Sequence, residues 1–160
     1  MANLQLGTAP VARAAMLVRR PVAEVFQAFV DPAVTCKFWF SRGSARLEPG
    51  ARVEWTWDMY GVTVPVSVKA VEPNRRILVE WPGDGGPAEI EWTFEARPDG
   101  TTFVGIANRG FRGEADAVVA QAIGATEGFA LVLAGLKALL EHGIRLNLVP
   151  DRHPDGLGNR

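Results

Sequence analysis

Cysteine is nearly missing from this chain: Cys36 is the only one in 160 residues, so no internal disulfide can staple the fold. That usage is ordinary for a reducing compartment. Histidine is almost as scarce, and His142 and His153 have no paired cysteine or local carboxylate constellation, which leaves no zinc site of familiar spacing. Charge excess of either sign is lacking: 17 Lys and Arg stand against 18 Asp and Glu, a formal net charge of -1. A dedicated nucleic-acid binder carries a basic stripe or patch instead. No run approaches the roughly 18 apolar residues that span a bilayer; the richest, residues 129–140, is broken by Lys137 and closed by Glu141 and His142. The N-terminus has no basic leader region, and Gly7, Pro10 and Arg13 interrupt its apolar residues, unlike an export signal. A nucleotide-type glycine loop is lacking too, because Gly83-Asp84-Gly85-Gly86 leads through Pro87 into a strand pattern rather than a helix. The expectations are a cytoplasmic protein with no cofactor, no metal, no nucleic acid and no membrane among its partners.

What the chain does have is apolar material. Hydrophobic residues make up 48% against 22% charged, enough for one core, and the length suits one domain. That domain is expected over residues 1–145, with residues 146–160 as a C-terminal tail, partly docked or flexible, rich in Pro, Gly and charge. A strand is expected from about Val11 or Ala12 to Val18, then a helix behind Pro21, where Val22, Val25, Phe26 and Phe29 share one face. Asp31-Pro32 restarts the chain, and a second short helix is expected over residues 33–38, leading into the aromatic cluster Phe38, Trp39 and Phe40.

From Ser44 onward the period falls to two. Val53, Trp55, Trp57 and Met59 alternate with Glu54, Thr56, Asp58 and Tyr60; Val62, Val64, Val66 and Val68 continue in the next strand. Pro65 in that strand calls for an edge or a bulge. Ile77, Val79 and Trp81, then Ile90, Trp92 and Phe94, then Val104, Ile106 and Asn108 complete a five-strand antiparallel meander, with a shorter strand expected near residues 45–47. One apolar face of such a sheet must be covered. The cover comes late: Val118, Ala122, Ala125, Phe129, Val132, Leu136 and Leu140 recur at helical spacing, and Gly143 supplies the stop. Gly124 and Gly128 in this run are expected either to kink or split the helix or to let it approach the sheet closely.

Local sequence carries a resemblance. RPVAEVFQAFVDP, CKFWF, LEPGARVEWTW, VKAVEPNRRILVEW, DGTTFVGIANRGF and EGFALVLAGLKALLEHG follow one another as the corresponding segments do in the START-like (SRPBCC) proteins, over about residues 12–143. The chain is similar in particular to the subgroup related to the activator of Hsp90 ATPase. The resemblance implies an α+β helix-grip fold, Bet v 1-like, in which a curved antiparallel sheet grips a long C-terminal helix. It also implies a cavity between the two, since relatives include lipid and hormone carriers, polyketide cyclases, ring-hydroxylase subunits and Hsp90 co-chaperone domains. An Hsp90-type partner is only weakly implied, because full-length co-chaperones carry a further N-terminal domain.

The functional expectation is non-catalytic binding of a small hydrophobic or amphipathic molecule between wide aromatic rings on the sheet and small residues on the helix. Trp57, Met59, Trp81, Trp92, Asn108 and Phe129 are the candidate ligand-binding residues. Each ring alone could simply fill the core, and Asn108 could equally cap its strand. Arg109 and Arg112 could form an anion-attracting lip or a solvated loop. No residue is assigned a catalytic role: the register turns Asp58 and Tyr60 away from Trp57, unless a twist or bulge before Gly61 reverses it, and Cys36 has no adjacent histidine. A cyclase- or hydrolase-like enzyme would instead need a carboxylate, His or Tyr in the cavity. An interaction module would need an exposed apolar patch on the outer sheet, around Leu78, which could also serve a homodimer.

Overall fold

The computed structural model describes residues 5–157; residues 1–4 and 158–160, the two ends of the expected domain and tail, lie outside them. Strand β1 (Ala12–Val18) runs into α1 (Val22–Val30), and Asp31 ends that helix and starts α2 (Pro32–Thr35), its carboxylate accepting from the Ala33 amide at 3.0 Å. The second helix is thus one turn, shorter than residues 33–38, because the chain from Cys36 to Trp39 continues as tight turns. Thr35 anchors them: its buried hydroxyl donates to the Ala28 carbonyl at 2.6 Å, and its own carbonyl accepts from the Phe38 and Trp39 amides. This knot carries Trp39 inward. Thr35→Val is expected to cost about 1–2 kcal/mol in urea unfolding, since the Ala28 carbonyl loses its hydroxyl donor in a buried place.

Strands β2 (Arg42–Gly43), β3 (Arg52–Trp57), β4 (Val62–Glu72), β5 (Arg76–Gly83), β6 (Gly86–Ala96) and β7 (Thr102–Arg109) follow. With β1 they form one seven-stranded sheet in the order β1-β7-β6-β5-β4-β3-β2, every neighbour antiparallel. The short leading strand lies at Arg42–Gly43 rather than at residues 45–47, where the Ser44 amide and hydroxyl already bond Glu54 and the chain then turns away. Pro65 is accommodated because it pairs only with β3, opposite Glu54, while β4–β5 pairing begins at Ser67 and Glu80. A register shift between Val68 and Ala70 bends the strand further along.

The alternation also breaks between β3 and β4. Asp58–Tyr60 form a single 3₁₀ turn closed by Gly61 at φ 63°, so Met59 and Tyr60 leave the strand register. Of the residues the period turns inward, Val53, Trp55, Val66, Val68, Ile77, Val79, Ile90, Trp92, Val104 and Ile106 are buried, while Val62 at the start of β4 is exposed and Val64 half-buried. Phe26 and Phe29 of α1 close one end of it against Phe94 and Trp92, with ring centres 5.3–6.0 Å apart.

The rest is covered by α3 (Ala115–His142), one continuous helix despite Gly124 and Gly128. By length and composition α3 is long and apolar enough to cross a membrane, although Glu127 and Lys137 interrupt its apolar run. Here its Phe129, Val132, Leu133 and Leu136 are buried in the core. Gly135 passes so close to Phe38 that an added methyl would sit 3.3 Å from its Cβ, so the glycine sets how near the helix lies. Near its end, Lys137 Nζ donates to the Leu17 carbonyl at 2.8 Å and to Glu141 at 2.6 Å, and Glu141 also accepts the Arg19 amide at 3.0 Å. Burial acts to raise the Glu141 carboxyl, but the Arg19 amide and the Lys137 ammonium outweigh it and hold it below the usual carboxylate range.

A carboxyl depressed on folding stabilises the native state above its unfolded pKa, and that contribution is lost as pH falls through the folded value. Glu141→Gln is therefore expected to cost about 1.5 kcal/mol at neutral pH. In acid the gap to the parent protein should begin to narrow below the ordinary glutamate value of about 4.3 and continue to narrow as pH falls through the lower folded value; parallel denaturant titrations at pH 7 and pH 3 measure it.

Candidate functional site

An aromatic pocket opens between the sheet and the middle of α3. Trp39 is its hub, with ring centres 4.9 Å from Trp55, 5.8 Å from Phe129, 5.9 Å from Trp57 and Trp92, and 6.3 Å from Trp81. Trp81 lies nearly parallel to Phe129 at 28°, with centres 6.4 Å apart. These rings cannot stack flat on every neighbour at once, and α3 presents Gly124, Ala125 and Gly128 opposite them. No atom comes within 4 Å of a methyl built at either glycine. The result is a partly open hollow of about 220 Å³, walled by Trp39, Trp57, Trp81, Phe129 and Val132. A few polar groups lie at its mouth, the usual make-up of a small-molecule site.

The C-terminal segment completes the mouth. Helix α4 (Leu148–Arg152) follows Asn147, a left-handed residue at φ 54°, and brings Val149, Arg152, His153 and Leu157 over the opening. Tyr60, displaced from the strand by the 3₁₀ turn, donates its hydroxyl to the Val149 carbonyl at 2.8 Å and meets the His153 ring edge-on at 5.7 Å. Arg152 forms an ion pair with Glu127 on α3. Val149, Arg152 and His153 of the expected tail are thus held against the body at the pocket mouth.

Of the six residues singled out from the sequence, Trp57, Trp81 and Phe129 line this pocket. Trp92 and Asn108 are buried, 1% and 2% exposed, one layer deeper on the inner sheet face. Met59, turned aside with Tyr60, lines a neighbouring shallow hollow together with Cys36, Lys37 and Asn147. Trp39, Tyr60 and the α4 residues are the ones sequence reasoning did not assign. The CKFWF cluster pointed at Trp39, and Gly61 after Asp58-Met59-Tyr60 marked a turn that ends the alternation.

The remaining candidates lie elsewhere. Arg109 pairs with Glu91 at 3.5 Å on the outer sheet face, where Arg76 also binds Glu91 at 2.6 Å and lowers its carboxyl below the usual range. Arg112 packs over Gly86 in the β5–β6 hairpin. Asp58 is exposed and paired with Arg42 at 2.8 Å, and His142 sits exposed in the last turn of α3. Half-buried Leu78 lies on the outer face between Glu91 of β6 and Ala70 of β4. Among the described residues no three His, Cys, Asp or Glu side chains group as metal ligands.

A long helix held in a curved antiparallel sheet, with an aromatic hollow between them, defines a START-like helix-grip domain. Within that class the chain belongs to the activator of Hsp90 ATPase homolog 1-like family, whose model matches residues 19–141. Protein SSP2350 from Staphylococcus saprophyticus is similar in structure, with 31% identity and a TM-score of 0.74, over 86% of this chain and 96% of that one. Protein MLL2253 from Mesorhizobium loti shares the fold at 21% identity and a TM-score of 0.72, over 84% and 99% of the two chains. So does the Aha1 dimer from Colwellia psychrerythraea, at 18% identity and a TM-score of 0.71, over 84% and 98%. No curated protein matches the chain in sequence.

Proposed function

We propose that the protein binds a small hydrophobic or amphipathic molecule, without chemistry, in the pocket between the sheet and α3. One observation carries this reading: bulky rings face bare glycines and leave about 220 Å³ unfilled by side chains. An engineered apolar cavity of about 150 Å³ holds benzene, so this space suits one or two fused rings, or a short apolar chain, rather than a whole lipid. Trp57, Trp81, Phe129 and Trp39 supply the contact surface, and the deeper Trp92 and Asn108 take part from behind. Met59 borders the adjoining hollow. Tyr60, Glu127 and His153 at the mouth are the residue types a cyclase- or hydrolase-like reaction would use. Binding is favoured because the Tyr60 hydroxyl is committed to the Val149 carbonyl and Glu127 to Arg152, and the Tyr60 ring packs on His153.

The reading includes a cytoplasmic location and a homodimer, the latter by analogy with the Aha1 dimer. Native mass spectrometry of freshly purified protein, followed by denaturing extraction, tests both binding and subunit count. A released small molecule accounting for an excess mass supports the proposal. Protein that arrives empty, and takes up nothing from a broad extract of aromatic and lipid metabolites, would overturn it.

A further inference from the structure

Two buried N–H groups lie behind the pocket with nothing to donate to. Trp92 and Asn108 are at least nine-tenths buried, and neither the Trp92 indole nitrogen nor the Asn108 amide nitrogen has a hydrogen-bond partner in the protein. They are neighbours. Trp92 pairs with Ile106 and Asn108 with Ile90, so the two sit diagonally across β6 and β7 on the same inner face. Diagonal partners are separated by about 7–8 Å along the backbone, within reach of a tryptophan side chain. Small residues border Asn108, with Ala12 opposite on β1 and Ala88 two residues before Ile90 on β6, both buried.

Buried donors ordinarily find acceptors. One orphan can be a local accident of packing; two adjacent orphans of the same kind define a need. Both are donors, so one complement serves both: an oxygen with two free lone pairs. The route to them is short. Of the three rings against Trp92, namely Phe29, Trp39 and Trp55, it is Trp39 that also lines the pocket. Trp39 thus touches both the hollow and Trp92, the donor beside Asn108.

We propose that Trp92 and Asn108 form a two-donor subsite at the deep end of the pocket, which takes the carbonyl oxygen of a one- or two-ring aromatic ketone as Trp39 turns aside. The inference rests on the pocket being a ligand site and adds the ligand's chemical class. The same oxygen chemistry could come from a resident water, and the two sources predict different results.

The test uses the full chain and two probes of one skeleton, 1-tetralone with a carbonyl and tetralin without, titrated by calorimetry. Tetralone is expected to bind at least tenfold tighter than tetralin. Asn108→Leu and the gentler Trp92→Phe should each cost tetralone about tenfold more affinity than they cost tetralin. Without ligand, Asn108→Leu is expected to melt no lower than the parent protein, because an unpaired amide gives way to an apolar group of similar size. Equal affinity for the two probes, with Asn108→Leu melting lower, assigns the donors to a water and overturns the subsite while leaving the pocket reading intact. Failure of both probes, together with an empty native spectrum, overturns both.

Discussion

Trp39→Ala is expected to lower the urea midpoint of unfolding by about 1–3 M, from a stability loss of about 3–5 kcal/mol and the usual denaturant dependence of a small domain. Removing a buried tryptophan forfeits its transfer free energy and leaves a cavity that the surroundings fill only in part. Trp39 is 7% exposed and touches Phe40, Trp55, Trp57, Trp81, Trp92 and Phe129. Oriented ring pairs contribute roughly 0.5–1.5 kcal/mol each beyond their buried area. Those contributions overlap and cannot be summed, but they place this residue near the top of the range. A domain of this size has about 5–15 kcal/mol in total, so the variant should remain folded at room temperature with little margin. Trp39→Phe, which keeps a ring against Trp55, should lose less than half as much. A midpoint for Trp39→Ala within 0.3 M of the parent, well below the about 1–3 M expected, would show that the rings pack independently.

The same residue shows where sequence reading succeeds and where it runs out. Strand alternation needs only local chemistry, since a pleated strand turns every second side chain to the core. Trp55, Val66, Ile77, Ile90, Trp92 and Ile106 were therefore legible, and the helical spacing of Phe129, Val132 and Leu136 equally so. At Asp58–Tyr60 Gly61 signalled a turn, but not which way it would send the side chains. One 3₁₀ turn there moves Tyr60 to the pocket mouth and Met59 to the hollow beside it. Trp39 lies in a segment with no period at all, and its direction is set by the Thr35 knot, visible only once Ala28 and Thr35 meet. The segment that holds α4 was expected to be partly docked or flexible, with no period to say where it would dock. What docks it are contacts from distant residues: the Tyr60 hydroxyl 89 positions away from Val149, and Glu127 25 positions from Arg152. All of the named wall but Trp39 follows from local pattern, while the rim follows from long-range geometry.

Gly128→Leu is expected to raise stability and abolish binding together. In the interior of a helix glycine costs about 0.5–1 kcal/mol relative to a good helix former, and Gly128 is exposed, with no atom within 4 Å of an added Cβ. The melting temperature should therefore rise by about 1–3 °C, given that 1 kcal/mol shifts a domain of this size by a few degrees. A leucine there projects four carbons into the space facing Trp57 and Trp81, so titration with tetralin should show affinity reduced at least tenfold. Ala130→Leu separates the two effects: Ala130 is exposed and lies away from the pocket, so its replacement should leave affinity unchanged. Core-filling substitutions that destabilise usually do so by overpacking. The opposite sign here would mark the glycines as held open at a cost to the helix, which packing alone does not require. If Gly128→Leu binds tetralin as tightly as the parent protein does, ligand is entering somewhere other than between the rings and α3.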